Sequence, residues 1–145
     1  MKRNIIIFCL LISWSVLASG QHNANGNEYV KTALTEAEIN GILSADPNGI
    51  LYFNYLTEEG WFIMDIPQEK TVDFGVFPFL FKQDRTTKQN TGEVLSVSDL
   101  PTFNLLLYKY KISPTRNYYL VEGSRKLLVI RSHAEITEGF NHYKN

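Results

Sequence analysis

The pattern of apolar and polar positions is clearest between Asn117 and Arg131, where two apolar runs flank a turn. Gly123 takes the first central position of that turn, which suits a two-residue type II′ β-hairpin whose twist matches its strands. The turn sets the register, so that Tyr118 faces Val129. The other predicted pairs are Leu120 with Leu127, Tyr119 with Leu128, Asn117 with Ile130, Val121 with Lys126 and Glu122 with Arg125. Both faces are largely apolar, so we expect the hairpin near the middle of a sheet that is covered on both sides.

The segment from Leu34 to Asp46 predicts a short amphipathic helix. Thr35 and Glu38 form a capping box, and Leu34 can pack against Ile39 as a hydrophobic staple. The polar, Pro-containing and Gly-containing residues that follow Asp46 end the helix. Because its apolar residues line one side, this helix must pack on another element.

Aromatic and β-branched runs predict the remaining strands. They are Ile50–Leu56 and Trp61–Ile66, joined as a hairpin by a turn at 57–60, then Val72–Phe81, Val94–Val97 and Asn104–Ile112. Apolar residues on both sides of Val72–Phe81 are typical of a buried strand, and Pro78 places that strand at an edge or at a bulge. The phenylalanines of this run favour core packing over an apolar ligand pocket.

A second capping box, Ser132 with Glu135, predicts a short C-terminal helix, although Gly139 weakens its helix propensity. Its apolar side carries Ile136, Phe140 and Tyr143. The elements together predict an α+β fold in which an N-terminal helix packs on one curved, mostly antiparallel sheet of five or six strands. The terminal helix would pack on the same sheet.

The start of the chain has the layout of a secretory signal peptide. A basic start precedes the apolar run Ile5–Leu17 and the small residues at 18–20, so we expect residues 1–20 to be cleaved. A membrane anchor is the alternative, but the run falls short of the roughly 20 residues of a spanning helix. We therefore predict an exported protein, periplasmic or extracellular, with a flexible polar leader at 21–32 and a single α+β domain at 33–145.

Composition limits the partners of the mature chain. It would carry 12 basic and 15 acidic residues, a net charge of −3, which makes nucleic acid an unexpected partner. Its one cysteine, Cys9, lies in the predicted signal peptide, so stability must come from packing without disulfides. Three lysines and ten acidic residues lie between 21 and 84, against nine basic and five acidic residues between 85 and 145. Such asymmetry fits either a bipolar surface or two halves that interleave in space, and the second arrangement is the commoner one.

Two stretches are candidates for ligand contact. The polar segment 82–93 contains Arg85 and Lys88 and should project as a loop, where functional contacts often lie. The strip Tyr108, Lys109, Tyr110 and Lys111 combines aromatic rings with ammonium groups, which can stack sugars or hold anions. The same strip is also typical of a half-exposed strand whose lysines discourage aggregation.

The sequence contains no motif that predicts a metal, a cofactor or a catalytic nucleophile, and no second apolar run that predicts a membrane span. Our leading hypothesis is a non-enzymatic exported module that binds a protein, a small molecule or a glycan. One alternative is a hydrolase that uses Asp65 and Asp73, if the two carboxylates converge. Another is a structural subunit of an exported assembly, and the oligomeric state stays open.

Overall fold

The computed structural model describes residues 23–145, which form an α+β fold. The helices are α1 (Glu28–Ala33), α2 (Glu36–Ala45), α3 (Gly49–Glu59) and α4 (His133–Tyr143). The strands are β1 (Trp61–Asp65), β2 (Phe81–Gln83), β3 (Asn90–Val94), β4 (Asn117–Leu120) and β5 (Lys126–Ile130). Short 3-10 segments occupy Phe74–Val76, Val97–Thr102 and Leu105–Leu107. The predicted signal peptide, residues 1–20, lies outside the described residues.

The strands form two antiparallel sheets within the described range. One has the order β1-β5-β4, and β2 pairs with β3 in the other. The α+β class is confirmed, but the prediction of one sheet with five or six strands is wrong. The physical reason is that three of the predicted strand segments do not form ladders: Ile50–Leu56 is helical, and Val72–Phe81 and Asn104–Ile112 are largely irregular.

The β4–β5 hairpin confirms the predicted register. Tyr118 pairs with Val129 and Leu120 pairs with Leu127. Gly123 has φ +76°, the left-handed conformation that glycine adopts without a steric penalty. β5 lies in the middle of its sheet, whereas β4 forms an edge. The expectation of a central hairpin therefore holds for one of its two strands.

Both faces of the hairpin are covered. One face contributes Val121, Leu128 and Ile130 to the main core, in which the ring of Trp61 meets that of Phe103 at 4.6 Å between centroids. On the other face Leu127 and Val129 are also buried. The ring of Phe77 lies 6.5 Å from that of Tyr118, and the guanidinium groups of Arg116 and Arg131 lie over the ring of Phe62 on this face.

Helix α3 replaces the predicted strand Ile50–Leu56. Ile50, Asn54 and Thr57 are buried at positions that follow helical periodicity, and the segment predicted as a turn at 57–60 is its last turn and its C-cap. Aromatic composition suggested a strand, but α3 is apolar on several sides because α1, α2 and α4 all pack against it. β1 confirms the neighbouring predicted strand except for its last residue, Ile66.

Two further predicted strands are largely irregular. In Val72–Phe81 the side chain of Asp73 accepts a hydrogen bond from the N–H of Gly75 and starts a 3-10 turn, so Val76 is 68% exposed. In Asn104–Ile112 the side chain of Asn104 caps a 3-10 turn, and residues 108–112 belong to none of the strands β1–β5. Local side-chain hydrogen bonds of Asp and Asn thus compete with the ladder in both segments.

The N-terminal segment is part of the folded structure from Asn23 onward. Asn27 caps α1 through a 2.9 Å bond from the N–H of Val30, whose side chain is fully buried. The buried amide of Asn54 accepts from the N–H of Asn27 and donates to the carbonyl of Asn23. Residues 28–32 of the predicted leader therefore belong to a packed helix, which the polar composition around them did not indicate.

The two predicted amphipathic helices are confirmed with their capping boxes, but both pack mainly on α3 and not on the sheet as predicted. Gly139 in α4 has a structural reason, because a Cβ at this position would lie 2.0 Å from the hydroxyl oxygen of Tyr55. The ring of Tyr55 also contacts those of Phe140 and Tyr143. The glycine thus lowers the helix propensity of α4 but lets it pack closely on α3.

Candidate functional site

The turn between β2 and β3, residues 84–89, is the centre of the candidate site. Asp84 organises it by accepting bonds from the N–H groups of Thr86 and Thr87, and these bonds lower the pKa of its carboxyl group. Lys88 has φ +58°, a left-handed conformation that costs a residue with a side chain about 1–2 kcal/mol. The turn is therefore ordered by its own hydrogen bonds around a strained lysine.

Two contacts anchor this turn to the start of α2. The ammonium group of Lys88 lies 3.3 Å from the carboxylate of Glu38, and the guanidinium group of Arg85 donates to the carbonyl of Leu34 at 3.1 Å. The pKa of Glu38 is lowered, chiefly by the N–H of Thr35 in the capping box and further by Lys88. A helix cap and a distant turn are thereby joined through one carboxylate.

The predicted strip at 108–111 lies beside the same turn. The N–H of Lys109 donates to the carbonyl of Phe81, and its ammonium group donates to the carbonyl of Lys88 at 3.0 Å. The side chain of Gln83 donates to the carbonyl of Leu106, which fixes the amide against this segment. The structure therefore brings Lys88 and the strip together, although they are 20 residues or more apart in sequence.

The two tyrosines of the strip differ in how far they reach the surface. Tyr108 is only 5% exposed, so it offers little of its ring to a ligand, whereas Tyr110 is half-buried. Burial raises the pKa of each hydroxyl to about 12. Both hydroxyls are therefore neutral at physiological pH and can donate or accept a hydrogen bond without titrating.

A cleft of about 310 Å³ opens on this strip, and we call it the basic cleft. It is lined by Gln83, Tyr108, Lys109, Tyr110 and Lys111. These five residues carry two ammonium groups and no carboxylate. The cleft therefore suits an anionic ligand group that lies close to the tyrosine rings and to the amide of Gln83.

A larger cleft of about 490 Å³ lies on the α2 side of the turn, and we call it the α2 cleft. It is lined by Asn25, Lys31, Leu34, Glu36, Ile39, Asn40, Leu43 and Arg85. Arg85, predicted as a contact residue, faces this cleft rather than the basic cleft. The other lining residues were not predicted as contact residues, although the spacing of Ile39 and Leu43 on the predicted helix indicated an apolar strip there.

The two halves of the chain interleave in part. Lys88 pairs with Glu38, and Lys126 pairs with Asp65, so basic residues of the second half meet acidic residues of the first. Arg85, Lys109 and Lys111 form none of the ion pairs found between residues 23 and 145. These three cations therefore lie near the β2–β3 turn without a carboxylate partner in the described residues.

The other carboxylates singled out in the sequence have structural partners. Asp65 is paired with Lys126, and Asp73 caps a 3-10 turn; neither residue lines the clefts described here. Glu58 accepts hydrogen bonds from the amide of Asn27 and the hydroxyl of Tyr143, which ties both ends of the domain to α3.

A cleft of about 320 Å³ beside α4 collects charged residues of both signs. It is lined by Tyr55, Glu59, Arg131, Glu135, Glu138, Gly139 and His142. Glu135 is engaged by Arg116, and Arg131 donates to the carbonyl of Glu59. Within residues 23–145, no group of three or more His, Cys, Asp or Glu side chains is placed to hold a metal ion.

Comparisons with family models, with characterised proteins and with solved structures found no match for this chain. In the described part of the chain no helix has both the length and the apolar character needed to cross a membrane.

Proposed function

We propose that the protein is a non-enzymatic exported module that binds an acidic sugar or a comparable small anionic ligand in the basic cleft. One observation carries this proposal. Lys109 and Lys111 both line the cleft, and none of its lining residues has a carboxylate. Lys82, by contrast, is paired with Asp99 at 3.1 Å.

The cleft has the features expected of a preorganised contact site. The amide of Gln83 donates to the carbonyl of Leu106, and the ammonium group of Lys109 donates to the carbonyl of Lys88. The amide of Asn117 donates to the carbonyl of Lys111 at 3.0 Å. A ligand carboxylate would meet ammonium donors, while the Tyr110 hydroxyl and the Gln83 amide would contact sugar hydroxyls. Residues ordered before binding lose less conformational entropy when the ligand arrives.

The hydrolase alternative has little support in this arrangement. Asp65 is largely exposed at 73% of its side chain and is paired with Lys126. Asp73 lies in an exposed turn and accepts a hydrogen bond from the N–H of Gly75. Each carboxylate therefore already has a structural partner, and the two do not line a common cleft among those described here.

A binding titration tests the proposal with tetragalacturonate, an acidic sugar, and with its methyl ester as the neutral control. We expect saturable binding of the acid that is weakened by salt, and at least about tenfold weaker binding of the ester. Lys111→Glu should weaken binding of the acid about tenfold or more, whereas Lys70→Glu, an exposed lysine outside the clefts, should change it little. Equal binding of acid and ester, or equal effects of the two variants, would overturn the proposal.

Export is tested separately. We expect the mature protein to be recovered outside the cytoplasm with Gln21 as its first residue, which N-terminal sequencing of the fractionated protein measures. Recovery of the full-length chain in the cytoplasm would contradict export without bearing on the cleft.

A structural subunit is a second candidate because of one apolar strip on the outer edge of β4. Phe79 bridges to Leu120 and is 39% exposed, and Val97 is hydrogen-bonded through its N–H to Glu122 and is 43% exposed. Light scattering after size exclusion distinguishes this candidate. A stable monomer at low concentration contradicts it.

A further inference from the structure

Helix α2 is unusual among the longer helices of the described chain because it contains no buried residue. Its apolar residues are divided between two tasks. Ile42 packs on the next helix, where a Cβ on Gly49 would lie 2.6 Å from its side chain. Ile39 and Leu43 instead line the α2 cleft, one helical turn apart.

The floor of the α2 cleft is continuous with a buried cluster. Leu34, Ile39 and Leu43 are half-buried and pack against the fully buried Val30 and Ile50. The cleft therefore offers an apolar surface that is partly exposed and is backed by buried side chains. Its volume of about 490 Å³ falls within the range of small-molecule sites.

One side of this apolar floor carries a positioned cation. Arg85 donates one N–H to the carbonyl of Leu34 and forms no ion pair within residues 23–145. A guanidinium group has five N–H donors, so four remain for a ligand, and its planar edge matches a carboxylate. Lys31, the other cation of the lining, is paired with Glu28 at 3.6 Å, and Glu36 contributes a carboxylate to the lining.

We infer that the α2 cleft is a second binding site, which takes a small amphipathic acid. The carboxylate of the ligand contacts Arg85, and its alkyl chain covers Leu34, Ile39 and Leu43. Charge complementarity selects this occupant over a neutral alkyl compound, because Arg85 lines the cleft without an ion pair within residues 23–145 and its planar edge matches a carboxylate. The inference does not depend on the basic cleft, which lies on the other side of the β2–β3 turn.

Amide NMR titration of the folded protein with octanoate, below its critical micelle concentration, tests the inference. We expect saturable shifts at the amides of Leu34, Ile39 and Leu43, and about tenfold weaker binding of octanol, which has the same chain without the charge. Equal binding of octanoate and octanol, or shifts that spread over the surface without saturation, would overturn the inference.

Two variants separate recognition from folding. Arg85→Gln should weaken octanoate binding about tenfold and leave octanol binding unchanged. Asn40→Asp adds a negative charge at the rim without touching the Arg85 hydrogen bond, and it should also weaken octanoate selectively. Lys70→Gln is the matched control and should leave both ligands unaffected. The inference is wrong if both rim variants bind octanoate as the unaltered protein does.

Discussion

Three cations near the β4–β5 hairpin, Arg116, Arg125 and Lys126, differ from Arg85 and Lys109 beside the β2–β3 turn in what holds them. Arg116 pairs with Glu135, Lys126 pairs with Asp65, and Arg125 donates to three backbone carbonyls while it stacks over Phe74. Beside the turn, Arg85 and Lys109 each donate to a single carbonyl.

The difference separates charge that serves the fold from charge that remains available. A cation paired with a carboxylate has its charge balanced, and Arg125, which donates to three carbonyls, has most of its five donors engaged. A cation held by one carbonyl is positioned but keeps donors for another anion. We therefore expect substitutions near the hairpin to change stability and substitutions near the turn to change binding.

The largest expected effect comes from breaking the hairpin at its centre. Leu128 is fully buried on β5, so Leu128→Ala should lower the free energy of unfolding by about 2–5 kcal/mol because it leaves a cavity. Urea denaturation measures this. Lys111→Ala, on the exposed strip, should change the free energy of unfolding by less than about 0.5 kcal/mol. Similar losses in the two variants would remove the distinction between the regions.

A smaller effect is expected from two alanine substitutions in helices. Gly139→Ala gains helix propensity but forces Tyr55 to move, so we expect a net loss of about 1–2 kcal/mol. Gly41→Ala meets no atom within 4 Å and should stabilise the protein by about 0.5–1 kcal/mol. Thermal unfolding of both variants measures the difference. Equal shifts would show that α4 does not pack closely through Gly139.

The ion pair beside the hairpin predicts a pH dependence. Hydrogen bonds from Arg116 hold the pKa of Glu135 at about 2, below its usual value of 4.5. Because the folded pKa is depressed, the stabilisation is present above about pH 4.5 and is lost as the pH falls towards 2. Glu135→Gln should lower the free energy of unfolding by about 0.5–1 kcal/mol at pH 7, since solvent screens the ion pair. At pH 2 the substitution should change the free energy of unfolding very little.

Urea titrations at several pH values check this dependence, with Glu138→Gln as the control on the same helix. A stability loss for Glu135→Gln that stays constant from pH 7 to pH 2 would contradict the assignment to the ion pair.

The smallest change in stability is expected at the turn. Lys88→Gly relieves the strain of the left-handed conformation. It also loses the ion pair with Glu38 and raises the conformational entropy of the unfolded chain. The free energy of unfolding should therefore stay within about 0.5 kcal/mol of that of the unaltered protein. Lys88→Ala keeps the strain and should be about 0.4–1 kcal/mol less stable than Lys88→Gly. Chemical denaturation of the pair measures this difference. Equal stability of the two variants would mean that the lysine is not strained.

The hairpin and the capped helices could be predicted because short-range signals decide them. A glycine in the turn fixes the register of β4 and β5, and Thr35 with Glu38 fixes the start of α2. Helix α3 could not be predicted from its composition, since aromatic residues suit either a strand or a helix that is buried on several sides. Its polar buried residues, Asn54 and Thr57, are understandable only once the N-terminal segment is seen to bind them.

The alternating burial along 108–111 was predictable from the sequence, but the arrangement of the clefts was not. Alternation along 108–111 correctly separated the inward tyrosines from the outward lysines, although the segment is extended without a ladder. Nothing in the sequence placed Arg85 in a different cleft from Lys109. That separation depends on the hydrogen bond from Arg85 to Leu34, a contact between residues 51 positions apart.

Amide NMR mapping with tetragalacturonate locates the surface that binds the ligand. We expect the shifts to concentrate at residues 83–88 and 108–111 and the amides of the β4–β5 hairpin turn, 121–126, to stay unchanged. Shifts centred on the hairpin, or distributed equally around Lys70, Lys126 and Lys144, would contradict the claim that the positive charge beside the β2–β3 turn is the part of the molecule that recognises a ligand.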